Sequence, residues 1–124
     1  QITTQTIERT LIDKVFAICD YYMRGELERH SMHLYDIYKI VNLIGITEEM
    51  RGLIPKVRKV RSELEICPSA KDNVDVTGIL NEIIEKQVYK KDYEEITFGL
   101  LFVPETYDTV ITGVKQLADS KIWN

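Results

Sequence analysis

Residues 31–44 read SMHLYDIYKIVNLI and are apolar almost all the way round a helical wheel. A helix with such a pattern is buried on most of its sides. Gly45 follows directly and predicts the carboxyl end of this helix. The stretch therefore predicts a helix packed against several neighbours, in a protein of the all-α class.

The segment before it predicts another helix, from about Glu8 to Arg24, which ends at Gly25. Its apolar residues recur at helical spacing, at Ile7, Leu11, Val15, Ile18 and Tyr22. Residues 1–7 are mostly polar, and the loose alternation from Ile2 to Thr6 suggests a short extended start.

Four further helices are predicted over residues 47–65, 77–88, 92–101 and 106–120, the first with a kink or restart at Pro55. Residues 67–76 include Pro68, Ser69, Asp72 and Asn73 and predict an internal loop. The chain has 124 residues, of which 44% are hydrophobic, enough for one compact core. The sequence thus predicts one all-α domain over residues 1–124, a bundle of about six helices.

The composition limits the kinds of binding partner and the cellular compartment that are expected. The net charge is −4, so any contact with a nucleic acid has to come from a local basic patch. Cys19 and Cys67 form neither a CxxC pair nor a Cys/His cluster at zinc spacing, which indicates a reduced, cytoplasmic environment. No apolar run is long enough for a membrane span, so no membrane partner is expected.

Lys14 and Asp36 are predicted to meet. Asp36 is the only acidic residue between Glu28 and Glu48, and a carboxylate in such apolar surroundings needs a partner. Lys14 lies at the edge of the apolar stripe of its helix. Each lies eleven residues from Gly25, so an antiparallel hairpin centred there places them level. The pair is either a structural ion pair or part of a functional site, and spacing alone leaves both interpretations open.

One basic segment stands out, the run from Lys56 to Arg61 with Arg51 a little over one turn earlier. It is either a solvated helix face or a docking patch for an RNA acceptor. The candidate RNA contacts are Arg51, Lys56, Arg58, Lys59 and Arg61. His30 and His33 lack a third histidine or a cysteine at suitable spacing, so no metal site is predicted.

Two motifs resemble the AbiEii/AbiGii toxin family. Residues 8–17 read ERTLIDKVFA and residues 30–38 read HSMHLYDIY, and the family pairs an ERT…DK helix with an RHLYDLY helix. Residues 89–96 (YKKDYEEI) and the stretch from Thr106-Tyr107-Asp108 to Leu117-Ala118 resemble its last helices. The similarity covers most of the chain.

The resemblance implies the helical carboxyl-terminal part of a nucleotidyltransferase, a toxin of abortive-infection and toxin–antitoxin systems. The family's amino-terminal part carries a Gly-Ser turn and an Asp-x-Asp pair that holds Mg²⁺ beside a nucleoside triphosphate. Neither motif occurs in these 124 residues, so a metal-binding domain upstream of Gln1 is expected. This chain alone is expected to hold neither cofactor and to be inactive.

The resemblance also assigns site residues. Lys14 matches the lysine that contacts the triphosphate, and Asp36 matches the carboxylate proposed as base on the attacking hydroxyl. Arg9, His33 and Tyr35 are supporting candidates, with His33 expected to orient Asp36 or to cap the helix. The family commonly has arginine where this chain has Met32, so that phosphate contact would pass to Arg29 or His30.

Three interpretations follow. The first is the nucleotidyltransferase half, whose acceptor is a candidate RNA because some family members modify transfer RNA. The second is a non-catalytic protein-binding module that recognises an antitoxin or closes a dimer. The third, a freestanding RNA-binding domain, fits the acidic composition least well.

Overall fold

The computed structural model describes residues 4–123, and these form six helical segments without a strand. The prediction of an all-α bundle is therefore confirmed for this part of the chain. The segments are α1 (Thr4–Arg24), α2 (Met32–Ile44), α3 (Glu48–Ser62), α4 (Val76–Lys86), α5 (Lys90–Asp92, Tyr93–Thr97 and Phe98–Leu100) and α6 (Tyr107–Asp119). None of them is long and apolar enough to cross a membrane.

Helix α1 begins earlier than its sequence pattern indicates. Residues 4–7 are helical, so the predicted extended start is wrong for them, while residues 1–3 lie outside the described part. An isolated short strand has no stability without a strand beside it, and the described chain offers none. At the other end Gly25 has φ 75°, Gly25 N–H donates to Tyr22 O and Glu26 N–H donates to Tyr21 O. This is a Schellman motif, which is the reason that the helix stops at Arg24.

Helix α2 packs between α1 and α6. It buries Leu34, Ile37 and Val41, as its apolar pattern requires. Helix α6 approaches α2 closely at Gly113, where a Cβ atom would lie 3.0 Å from the Cα atom of Tyr38. A residue without a side chain at this position sets the spacing of the two helices.

Helix α3 continues through Pro55 as one element instead of restarting there, and it ends at Ser62, three residues before the predicted end. Proline removes the hydrogen bond to the carbonyl of residue 51, but both residues are exposed, so water can replace the missing donor. The helix buries Met50, Leu53, Ile54 and Val57 against the core.

The segment that connects α3 to α4 belongs in part to the core. A short 3-10 turn, Pro68–Ala70, contacts α1 and α3, and Cys67, Ser69 and Ala70 are buried. This part of the connection is therefore packed against the helices instead of extending into solvent.

Helix α5 begins at Lys90 and contains a π turn at Tyr93–Thr97. Tyr93 and Thr97 face the core, whereas Phe98 is exposed. Helix α6 begins after Thr106, whose hydroxyl accepts a hydrogen bond from Thr109 N–H at 3.2 Å. This N-cap explains the position of the helix start.

Candidate functional site

Lys14 and Asp36 are in contact, as the hairpin geometry predicts. The Nζ atom of Lys14 lies 3.1 Å from Oδ2 of Asp36, so the ammonium group donates a hydrogen bond across the α1–α2 interface. Their side chains are 25% and 35% exposed. The pair is thus accessible to solvent and to a ligand, unlike a pair sealed in the core.

An open cavity of about 370 Å³ lies beside this pair. It is formed by α1, α2 and α3 and is lined by Thr10, Asp13, Lys14, Ala17, Tyr21, His33 and Arg61. The cavity places Lys14 and Arg61 in one concave surface. Asp13 lines the same surface, and both cations are already paired with carboxylates, Lys14 with Asp36 and Arg61 with Asp13 and Asp20. An anion such as a phosphate group would therefore bind by displacing Asp36 from Lys14.

His33 lies in the wall of this cavity, one turn before Asp36 on α2. Burial lowers the pKa of the His33 imidazole, and the nearby charge of Lys14 lowers it further, against an opposing effect of Asp36. Its Nδ1 atom is buried and has no hydrogen-bond partner. The ring of Tyr21 stacks on His30 with centroids 3.5 Å apart, and the His33 ring lies 6.0 Å from the same tyrosine.

Arg61 joins the cavity to a buried network. Its guanidinium donates from Nη2 to Asp20 at 2.9 Å and from Nη1 to Asp13 at 3.4 Å. Asp20 is almost fully buried and also accepts from the backbone N–H of Ser69 at 2.8 Å and its hydroxyl at 2.5 Å. The Nε atom of Arg61 has no partner. The arginine is therefore fixed in place by carboxylates and retains one unsatisfied donor.

The supporting candidates do not all lie together. His33 lies in the cavity, whereas Arg9 is exposed on α1 and forms no ion pair within residues 4–123. Tyr35 points to another part of the molecule, since its hydroxyl donates to Val103 O at 3.5 Å. Arg29 and His30 are not among the residues that line the cavity: the backbone N–H of Arg29 donates to Asp92, and His30 stacks on Tyr21, which is a lining residue.

The basic run of α3 divides into two faces. Arg58 and Arg61 turn inward, where Arg58 Nη1 donates to Lys71 O at 3.0 Å. Arg51 is held by Glu48 and by Lys121 O. Lys56 and Lys59 are exposed, and neither forms an ion pair with a described residue. The five candidate RNA contacts therefore do not form one free basic surface, and the two lysines are the part left for a polyanion.

The donor groups suit phosphate and do not suit a metal ion. Lys14 offers a nitrogen donor to an anion in the cavity, whereas the two Nη atoms of Arg61 already donate to Asp13 and Asp20. No group of three His, Cys, Asp or Glu side chains within residues 4–123 is arranged to hold a metal ion. No step through Mg²⁺ is therefore assigned to these residues.

The sequence pattern did not place Arg61 in this cavity. A signal for it exists, because Asp13 and Asp20 are seven residues apart and share one face of α1. Once packing buries one of them, Asp20, its carboxylate needs a cation from a neighbouring element, and Arg61 is that cation.

Asp92 is a second residue with an unexpected role. Its carboxylate accepts from Arg29 N–H at 2.7 Å, from Ser31 N–H at 3.3 Å and from the Ser31 hydroxyl at 2.5 Å. Ser31 itself makes no side-chain cap to α2. A carboxylate from α5 thus stabilises the amino end of α2, where the helix dipole favours negative charge.

The cysteines contribute no reactive group. Cys19 and Cys67 are buried free thiols, and burial raises the pKa of both. Neither lies among the residues that line the cavity.

No protein-family model matches the chain, and neither a curated protein nor a solved structure does.

Proposed function

We propose that the chain is the helical part of a nucleotidyltransferase toxin of the AbiEii/AbiGii type. Lys14 and Asp36 would work in a site completed by an amino-terminal domain that holds Mg²⁺ and the nucleoside triphosphate. The observation that carries the proposal is the Lys14–Asp36 contact at 3.1 Å on the edge of an open cavity that contains a second cation, Arg61. The cytoplasmic location expected from the sequence is part of this proposal.

Lys14 suits a role in holding phosphate. A flexible ammonium group neutralises the negative charge that shifts toward the leaving group during phosphoryl transfer. Arg61 is held at a fixed position by Asp13 and Asp20, which neutralise its charge, so Lys14 is the cation proposed to bind the phosphate. A phosphate group in the cavity would compete with Asp36 for Lys14 and so leave the Asp36 carboxylate free.

Asp36 suits the role of general base. A carboxylate on the rim of the cleft accepts a proton from the hydroxyl of the acceptor as that oxygen attacks phosphorus. His33, one turn earlier on the same helix, lies close enough for its charge to interact with that of Asp36. Because burial favours the neutral imidazole, His33 would not compete with Lys14 for the substrate as a cation.

The acceptor is proposed to be RNA. Lys56 and Lys59 lie three residues apart on the exposed face of α3, so both side chains reach solvent on the same side. They would bind the acceptor through its phosphates without reading its sequence. Arg51 and Arg58, which already hold backbone carbonyls, would contribute less.

The decisive experiment measures transfer by the full-length protein. Lys14→Met and Asp36→Asn are expected to lower incorporation of labelled nucleotide into RNA by at least about 100-fold, the usual contribution of a positioned acid or base. Lys115→Met and Asp119→Asn, which change exposed residues on α6, are matched controls with unchanged activity. Retained activity in both site variants would refute the proposal. So would loss of the helical circular dichroism signal, because the pair would then be structural.

The reading frame upstream of Gln1 provides an independent test. A Gly-Ser turn followed by an Asp-x-Asp pair is expected there. A start codon directly before Gln1 would favour the second candidate function, a non-catalytic module that binds an antitoxin or a second copy. That alternative is supported by the exposed apolar side chains after the π turn of α5.

A further inference from the structure

A second surface lies away from the Lys14 cavity, on α5 and the loop that follows it. Four large apolar side chains are exposed within six residues: Phe98 (40%), Leu100 (70%), Phe102 (100%) and Val103 (54%). Exposed apolar residues scattered singly need no explanation, but four in one short segment are a candidate interaction site.

The loop that carries these residues is held in position. The hydroxyl of Tyr93 donates to Glu105 O at 2.6 Å, and Tyr93 is fully buried. Tyr35 approaches Val103 O from α2 at 3.5 Å. The Thr97 hydroxyl lies 2.7 Å from that of Ser31. The apolar side chains are thus presented by a backbone anchored to the core, which lowers the entropy lost when a partner binds.

The π turn at Tyr93–Thr97 contributes to this arrangement. A π turn inserts one residue into a helix and changes which side chains face the core after it, and such turns are frequent at functional sites. Here Tyr93 and Thr97 remain buried, while Phe98 and Leu100 reach solvent.

The surroundings of the cluster are acidic. Residues 93–108 contain Glu94, Glu95, Glu105 and Asp108 but no lysine or arginine. Two lysines border the surface: Lys90 lies 5.9 Å from the Tyr107 ring, and Lys39 lies 5.8 Å from the Tyr35 ring. The balance of charge stays negative.

A cavity of about 300 Å³ adjoins the cluster and is lined by Glu94, Phe98, Thr106 and Tyr107. Tyr107 is 2% exposed, and its hydroxyl has no hydrogen-bond partner. Burial raises the pKa of this phenol to about 12, so it remains a donor. The cavity therefore combines the apolar side chain of Phe98 and the side chain of Tyr107 with the carboxylate of Glu94.

We propose that this acidic-apolar surface, formed by Glu94, Phe98, Leu100, Phe102, Val103, Tyr107 and Asp108, binds a basic amphipathic helix of a partner protein. The apolar side chains of the partner pack on Phe98 and Phe102, and its lysines and arginines pair with Glu94 and Asp108. Recognition of an amphipathic helix by an apolar surface with complementary charge is a recurring mode of protein binding.

The charge selects this occupant over others. An anionic membrane or a nucleic acid would be repelled by the carboxylates. In a two-fold contact with a second copy, the same acidic residues would face each other. The inference stands apart from the nucleotidyltransferase proposal, because the surface contains neither Lys14 nor Asp36.

Binding of a synthetic peptide to the full-length protein tests the inference. The probe is a fluorescently labelled helix with leucines at positions i, i+3, i+4 and i+7 and lysines elsewhere, and anisotropy is the readout. We expect saturable binding that weakens at least about tenfold in Phe102→Ser and in Glu94→Lys, as for central interface residues. Leu43→Ser and Glu49→Lys, exposed positions outside the surface, are controls with unchanged affinity.

Two altered peptides separate the contributions. One replaces the leucines with alanine, and the other replaces the lysines with glutamate, and both are expected to bind at least about tenfold more weakly. Binding that is absent, equal for the alanine peptide, or equally reduced in the control variants would overturn the inference. Self-association in sedimentation that Phe102→Ser abolishes would also overturn it, since the occupant would be a second copy.

Discussion

Asp20 and Asp36 are both paired with a cation, but at different depths. The side chain of Asp20 is 3% exposed and accepts three hydrogen bonds, one from Arg61, one from the Ser69 backbone N–H and one from the Ser69 hydroxyl. Asp36 is 35% exposed and has Lys14 as its partner. Asp20 is therefore expected to stabilise the fold, whereas the Lys14–Asp36 pair is accessible enough for a ligand to disrupt.

The physical reason is solvation. Removing one partner of a buried ion pair leaves the other charge without water or a counter-ion, which is costly. Removing one partner of an exposed pair leaves a charge that water can solvate, so little stability is lost. The depth of each carboxylate therefore predicts the outcome of its substitution.

The largest effect is expected for Asp20→Ala. Arg61 loses the closer of its two carboxylates and the buried N–H of Ser69 loses its acceptor, and we expect a loss of about 3–5 kcal/mol in the free energy of unfolding. Urea denaturation followed by circular dichroism measures it. Asp13→Ala is the matched control, because Asp13 binds the same arginine at 3.4 Å but is 42% exposed, and less than about 1 kcal/mol should be lost. Equal losses would contradict the comparison.

The stability loss of Asp92→Ala is expected to lie between those of Asp20→Ala and Asp13→Ala. This carboxylate caps the backbone of α2 from α5 instead of neutralising a cation, so its loss should cost about 2 kcal/mol. Asp108→Ala, an exposed acid at the start of α6, is the control. A loss at Asp92 as small as that of the control would show that Ser31 can cap α2 alone.

Lys14→Met and Asp36→Asn should each change the free energy of unfolding by less than about 1 kcal/mol, because the pair is partly solvated. The same denaturation measurement applies. A loss that approaches that of Asp20→Ala would assign the pair to the fold and remove it from the proposed site. The double variant should resemble each single variant, since the interaction is absent in all three.

The smallest effect is the pH dependence contributed by His33. Its pKa in the folded protein is lowered by burial and by Lys14, so the unfolded chain binds the proton more tightly. The neutral His33 therefore costs the fold no stability above the pKa of the unfolded chain, about 6.5. As the pH falls below that value, the free energy of unfolding decreases, because the unfolded chain takes up the proton first. Thermal unfolding between pH 7.5 and about pH 5.5 should show a shallower decline for His33→Gln than for the natural protein. An identical slope would exclude this role.

The sequence predicts much of the fold because local signals agree. Gly25 and Gly45 mark the ends of α1 and α2, and both have positive φ. The contact of Lys14 with Asp36 was predictable because it depends only on two consecutive helices and the position of the turn at Gly25. The start of α1 was less predictable, since a few threonines at a chain end carry no strong preference.

The parts that could not be predicted depend on long-range packing. Nothing local to Arg61 distinguishes it from Lys59, yet one binds Asp20 and the other faces solvent. The capping of α2 by Asp92 joins residues about 60 positions apart. The π turn in α5 likewise follows from the packing of Tyr93 and Thr97 and not from a local pattern.

Gly113 has a consequence for mutational tolerance. The backbone of Tyr38 lies so close that even a methyl group at position 113 would require α6 and α2 to shift apart by a few tenths of an ångström. Helix α2 carries Asp36, and α6 begins at Tyr107, so both proposed surfaces would shift although neither contains the glycine. In a library of random variants, position 113 should therefore accept almost no other residue, and the restriction would come from spacing alone.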